Sequence, residues 1–172
     1  MREIMNTNDD IASQVITLCR AQNIRVATAE SCTGGLISAA LTAISGASDV
    51  LDCGFVTYSN LAKTAMLGVC ETALSRHGAV SEEVARAMAE GALARSPASL
   101  AVAVTGIAGP HGGSPQKPVG LVHVAVARRG GSTIHERLEL GDVGRSAVRE
   151  RTVRRALELL KTCCESGKEA FR

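Results

Sequence analysis

The sequence predicts one α/β domain of three layers, α/β/α, built on a mixed, mainly parallel sheet with helices on both faces. Helical and strand patterns alternate through the first two thirds of the chain. Leu100-Ala101-Val102-Ala103-Val104 is the continuous apolar run of a central strand covered on both faces, and Arg128-Arg129-Gly130-Gly131 reads as a hairpin turn between two further strands. At 172 residues the chain can bury one sizeable core and has no length for a second full domain. The core is expected over 8–164, followed by a frayed polar tail over 165–172.

A first helix is expected over 8–20, with Asn8 as N-cap, Asp9 and Asp10 at the positive end of its dipole, and Ile11, Val15, Leu18 and Cys19 as its apolar stripe. A strand over 25–28 feeds the polar, Gly-rich turn Glu30-Ser31-Cys32-Thr33-Gly34-Gly35, after which a helical pattern resumes over 36–44. Ser45-Gly46-Ala47-Ser48 breaks that helix, and 50–58 reads as a strand with Leu51, Cys53, Phe55 and Thr57 on one face. Ser59 or Asn60 caps a short helix that carries Lys63 and stops at Gly68. Another turn of helix falls over 72–77, and Ser81 with Glu82 and Glu83 behind it starts a longer helix that Pro97 ends. The central apolar strand opens into Thr105-Gly106-Ile107-Ala108-Gly109-Pro110 and a long loop to Pro118, then strands over 119–127 and 132–140. A last helix over 146–164 presents Val153, Leu157 and Leu160.

Composition excludes several classes of function. A net charge of +2 with no concentrated basic stretch, and only 2% aromatic residues, argue against a nucleic-acid partner. No apolar run approaches the roughly 20 residues of a membrane helix, and Met1-Arg2-Glu3-Ile4 lacks a signal-peptide core, so a cytoplasmic protein without membrane contact is expected. Cys19, Cys32, Cys53, Cys70, Cys163 and Cys164 form no C-x-x-C pair and have no His at zinc-ligand spacing. Neither a disulfide scaffold nor a metal site is expected, and no cofactor is implied.

Two loops fall at the C-terminal ends of strands, where open α/β sheets bind ligands. In the first, Thr28 to Gly35, Glu30, Ser31, Cys32, Thr33, Gly34 and Gly35 offer hydroxyls and backbone N–H groups at a helix N-terminus, suited to a phosphate or a developing oxyanion. A plain strand-to-helix turn with an N-cap fits the same residues. Ser31 has no acid–base partner near it in sequence. His77, His111, His123 and His135 occupy contexts typical of structural or solvated histidines, whereas Lys63 at a helix N-terminus has a setting where dipole and desolvation oppose its charge and favour a general base. An exposed surface lysine is the alternative. The second loop, from Thr105 and Gly106 to Gly113, permits close backbone approach to a ligand. Arg145 and Arg149, one helical turn apart, can present guanidinium groups to a phosphate or carboxylate, and with Arg151, Arg154 and Arg155 they equally fit a solvated helix face.

Four stretches occur together in order: T-A-E-S-C-T-G-G at Thr28 to Gly35, G-F-V-T-Y-S-N-x-x-K at Gly54 to Lys63, H-G-A-V-S at His77 to Ser81, and T-G-I-A-G-P-x-G-G with K-P-V-G at Thr105 to Gly120. With these the chain resembles the C-terminal domain family of the competence and damage-inducible protein CinA, whose stand-alone members are the nicotinamide mononucleotide deamidases called PncC. The resemblance spans about 11–160. It implies metal-independent amide hydrolysis, nicotinamide mononucleotide and water giving nicotinic acid mononucleotide and ammonia, in pyridine nucleotide recycling. It implies a Ser-Lys dyad, with Ser31 as nucleophile and Lys63 as base, Tyr58, Ser48 and Thr105 lining the pocket, and Arg145 on the substrate phosphate. Val143-Gly144 intervenes before Arg145, which leaves Arg149 in play for the same role. The family's long form also carries a molybdopterin-binding-like domain, and only the amidase part is matched. A homodimer is expected from small residues on helix faces and an apolar hairpin. Two other readings stay open: a non-catalytic nucleotide-binding or competence-related interaction module, and a thiol hydrolase using Cys32.

Overall fold

A computed structural model describes residues 8–166. Five strands form one sheet in the order β2-β1-β3-β4-β5, comprising β1 (Val26–Glu30), β2 (Leu51–Val56), β3 (Leu100–Gly106), β4 (Leu121–Arg128) and β5 (Thr133–Glu139). β1 runs parallel to both β2 and β3, while β4 is antiparallel to β3 and to β5. The sheet is therefore mixed, with its parallel part around β1. One face is covered by α1 (Asp9–Ala21), α2 (Leu36–Thr42) and α6 (Arg145–Glu165), and the other by α3 (Asn60–Leu67), α4 (Glu71–His77) and α5 (Glu82–Ala94).

Strand alternation builds the two cores. Val26, Leu100, Val102, Val104, Val122, Val124 and Val126 face the first helical layer, while Ala27, Ala29, Ala101, Ala103, Ala125 and Ala127 face the second. Branched side chains thus fill one interface, and alanines let α5 lie close on the other. Gly54 is needed for the approach of α2, since a Cβ there would stand 2.5 Å from Ser38 Oγ and 2.9 Å from Thr28 Oγ1.

Several local expectations are realised in detail. Ser59 Oγ accepts from Ala62 N–H and Ser81 Oγ from Val84 N–H, both as N-caps, and Gly68 closes α3 in the left-handed region at φ 70°. Asn8 sits at the N-cap of α1 without a side-chain capping bond, its backbone being in the helical region (φ −111°, ψ 0°), and its Nδ2 donates to Glu150 O on α6. β1 and β3 run two residues further than their patterns predicted, as Glu30 pairs with Val104 and Gly106 with Val122. The tail expected over 165–172 falls mostly outside the described residues.

Candidate active site

Glu30 and Ser31 are adjacent, and alternation sends them to opposite faces of the sheet. Glu30 turns toward α2. It is fully buried, and its carboxylate accepts from Thr33 Oγ1 (2.6 Å), Gly35 N–H (3.0 Å), Ile37 N–H (3.1 Å), Ser38 N–H (2.9 Å) and Ser38 Oγ (3.1 Å). Ser31 continues the row of Ala27 and Ala29 toward the other layer, its own N–H donated to Val104 O. There it meets Lys63, whose Nζ lies 3.0 Å from Ser31 Oγ and donates to Thr57 O at 2.8 Å.

Lys63 is 1% exposed, and among the described residues no carboxylate forms an ion pair with it. Burial, which penalises the charged form, holds its pKa below that of an ordinary lysine; only the Cys32 thiolate would oppose this. A neutral Lys63 can spend one N–H on Thr57 O and turn its lone pair to the Ser31 hydroxyl. The arrangement is that of an activated nucleophile, a hydroxyl in hydrogen-bond reach of a buried amine oriented by a third group.

Both residues open onto a cleft of about 250 Å³, lined also by Cys32, Tyr58, Ala79, Val80, Thr105, Gly106 and Arg145 and by the loop from Ile107 to Gly112. Arg145, at the start of α6, donates to Gly109 O (3.0 Å) and to Tyr58 Oη (2.7 Å), and of its five N–H groups the rest remain for an anion. Thr105 Oγ1 donates to Ala79 O at 2.8 Å and so ties the wall at 79–80 to β3. Lys117 reaches the same wall, donating to His77 O and Val80 O.

The family model described as the CinA C-terminal domain matches residues 8–164. The chain belongs to the CinA C-terminal domain family. Curated relatives include a CinA-like protein of Anaeromyxobacter sp. (strain Fw109-5), 50% identical over 153 residues, with 89% of this chain and 37% of that protein covered. A CinA-like protein of Akkermansia muciniphila is 57% identical over 136 residues, covering 79% and 33%. The match thus spans about a third of the length of these relatives. Among solved structures, the competence/damage inducible protein CihA of Agrobacterium tumefaciens is similar with a TM-score of 0.91 and 52% identity, covering 94% of this chain and 98% of that one. A CinA superfamily protein of Escherichia coli gives a TM-score of 0.86 at 34% identity, covering 94% of each chain.

In this CinA-family fold the sequence-predicted residues divide into three groups. Ser31, Cys32, Tyr58, Lys63, Thr105, Gly106 and Arg145 line one cleft. Glu30, Thr33, Gly34 and Gly35 stand behind it, and the N–H groups expected to hold a substrate anion at the start of α2 are instead taken by Glu30. Ser48 is a correction: it is exposed in the turn Ala47–Asp49 at the N-terminal end of β2, and because β1 and β2 are parallel this is the opposite end of the sheet from Ser31. Arg149 does not line the cleft; its Nε and Nη2 donate to Cys32 O (3.1 Å) and Thr33 O (2.9 Å). Sequence reasoning missed Ala79, Val80 and His111 as cleft residues, although the stretches containing them were singled out. Burial pushes the Cys32 thiol up to about 11, which opposes a thiolate nucleophile.

Proposed function

We propose that the protein is a nicotinamide mononucleotide deamidase, with Ser31 as nucleophile and Lys63 as general base and acid. The observation that carries this is the 3.0 Å contact between Ser31 Oγ and a buried Lys63 Nζ. Neutral Lys63 takes the Ser31 proton as Oγ bonds to the carboxamide carbon and the carbonyl becomes an oxyanion. Collapse breaks the C–N bond, Lys63 gives its proton to the leaving nitrogen, and ammonia departs. Water then loses a proton to Lys63 and attacks the acyl carbon, releasing the acid, and the proton returns to Ser31. Arg145, with Tyr58 bracing its guanidinium, is the group for the substrate phosphate, since the N-terminus of α2 is already occupied by Glu30. Among the described residues no helix is long and apolar enough to cross a membrane.

The test is ammonia release from nicotinamide mononucleotide in excess chelator, beside folded Ser31→Ala and Lys63→Ala. Turnover is expected in the parent and in neither variant. A folded parent that binds the nucleotide without releasing ammonia would leave a binding module as the better account.

A further inference from the structure

We propose that Glu30 and Arg149 are positioning residues for Ser31, gripping the backbone that follows it from two sides without touching substrate. This rests on Ser31 being the nucleophile and on nothing about the substrate. The loop between β1 and α2 turns through Gly34 (φ 63°) and Gly35 (φ 101°), and it has no apolar side chain but Cys32 to pin it. Its polar backbone is pinned instead. The N–H groups of Gly35, Ile37 and Ser38 converge on the buried Glu30 carboxylate. The carbonyls of Cys32 and Thr33 converge on the Arg149 fork. An anion therefore holds the donors and a cation holds the acceptors of one short run of peptides.

Further bonds close the frame: Ser31 N–H to Val104 O and Gly34 N–H to Ser31 O. These bonds hold the backbone on both sides of Ser31 in the conformation that presents Oγ to Lys63. Arg145 and Arg149 of α6 divide the work by one helical turn, Arg145 reaching into the cleft and Arg149 reaching behind it. Lysine cannot substitute at 149, because two parallel donors at fixed spacing are required. Glutamine cannot substitute at 30, because both oxygens accept from donors and a carboxamide turns its NH2 against one set.

The experiment measures the rate at which a fluorophosphonate phosphonylates Ser31, read by intact mass and peptide mapping. Ser31 Oγ bonds to phosphorus, fluoride leaves, and Lys63 takes the proton. Glu30→Gln and Arg149→Lys, each confirmed folded by circular dichroism and thermal melting, are expected to label about 100-fold more slowly than the parent, the scale of a misplacement of about 1 Å. The exposed Arg151→Lys on the same helix is expected to label at the parent rate. With nicotinamide mononucleotide as substrate, kcat should fall by the same factor while KM stays within about threefold, the split of a group acting on the nucleophile and not on binding. Should Glu30→Gln fail to fold, Arg149→Lys decides alone. Labelling of a folded Arg149→Lys within twofold of the parent, or a parent whose Ser31 takes no label, overturns the proposal. A parent that labels at Ser31 yet releases no ammonia overturns the deamidase assignment and leaves this one standing.

Discussion

Lys63 Nζ lies 3.0 Å from Ser31 Oγ although 32 residues separate the two in the chain. Burial lowers the Lys63 pKa, so the amine is neutral over a range where an exposed lysine is charged. The base form is lost as pH falls through that lowered value. The acid limb of kcat/KM is therefore expected below the roughly 10.4 of a free lysine. Lys63→Arg, charged at every accessible pH, should cut turnover by at least about 1000-fold. A limb that remains in Lys63→Arg at parental activity would remove Lys63 from the mechanism.

Arg145 contacts Gly109 O and Tyr58 Oη and faces the cleft. Arg145→Met should raise KM for the mononucleotide by about 30-fold, roughly 2 kcal/mol for one charge-assisted contact, with kcat within about threefold. The corresponding riboside, which lacks the phosphate, should be hydrolysed equally by parent and variant. A riboside penalty as large as the nucleotide penalty would place Arg145 elsewhere in the mechanism.

Cys32 is 5% exposed with its thiol pushed up by burial, whereas the exposed Cys70 thiol is lowered by its hydrogen bond to Thr72. Iodoacetamide at neutral pH should modify Cys70 well before Cys32. Turnover should survive that modification, and Cys32→Ala should keep kcat within about threefold. Loss of activity in step with Cys32 alkylation would revive a thiol mechanism.

His123, 8% exposed, donates to or accepts from His135 at 2.9 Å, and His135 reaches Glu82 at 3.4 Å. Burial first, then the charges of His135, Arg137 and Lys117, lower the His123 pKa to about 4, with Glu82 opposing. Between about 6.5 and about 4 the unfolded chain binds a proton there that the fold does not, so stability falls as pH falls through this window. The loss attributable to this ring is on the order of 3 kcal/mol. Urea titrations from pH 7 to pH 4 should show a flatter decline for His123→Leu than for the parent.

Gly91 lies inside α5, where alanine would ordinarily favour the helix by roughly 1 kcal/mol. A Cβ at this position would stand 2.1 Å from Leu67 O, so α5 packs on the end of α3 through the missing side chain. Gly91→Ala should destabilise by about 2 kcal/mol, packing strain outweighing propensity. An unchanged or raised melting temperature would show that α3 yields freely.

Much of this architecture is legible in local sequence because its causes are local. Ser81 caps its helix as predicted, Ser59 is the one of the two candidates Ser59 and Asn60 that caps α3, and Gly68 stops α3. The apolar run from Leu100 to Val104 is a central strand. Strand ends were less legible: β1 extends to Glu30 through ladder bonds with β3, and no propensity reports a neighbour's register. Asn8 makes no cap because its backbone is helical where those of the capping Ser59 and Ser81 are extended, and its Nδ2 donates to α6, brought in from the other end of the chain.

Among the site residues, chemistry was legible and direction was not. Sequence alone determined that a hydroxyl stands in a Gly-rich turn after a strand, that a lysine stands near the start of a short helix, and that Arg145 and Arg149 share one helix. Only the tertiary structure decided that Ser31 faces Lys63 while Glu30 faces α2, that Arg145 enters the cleft while Arg149 grips the loop, and that Ser48 lies at the far end of the sheet. The physical reason is that composition and spacing specify which groups an element carries. Which way each group points depends on strand pairing and helix docking, where a shift of one residue along a strand turns a side chain to the opposite face.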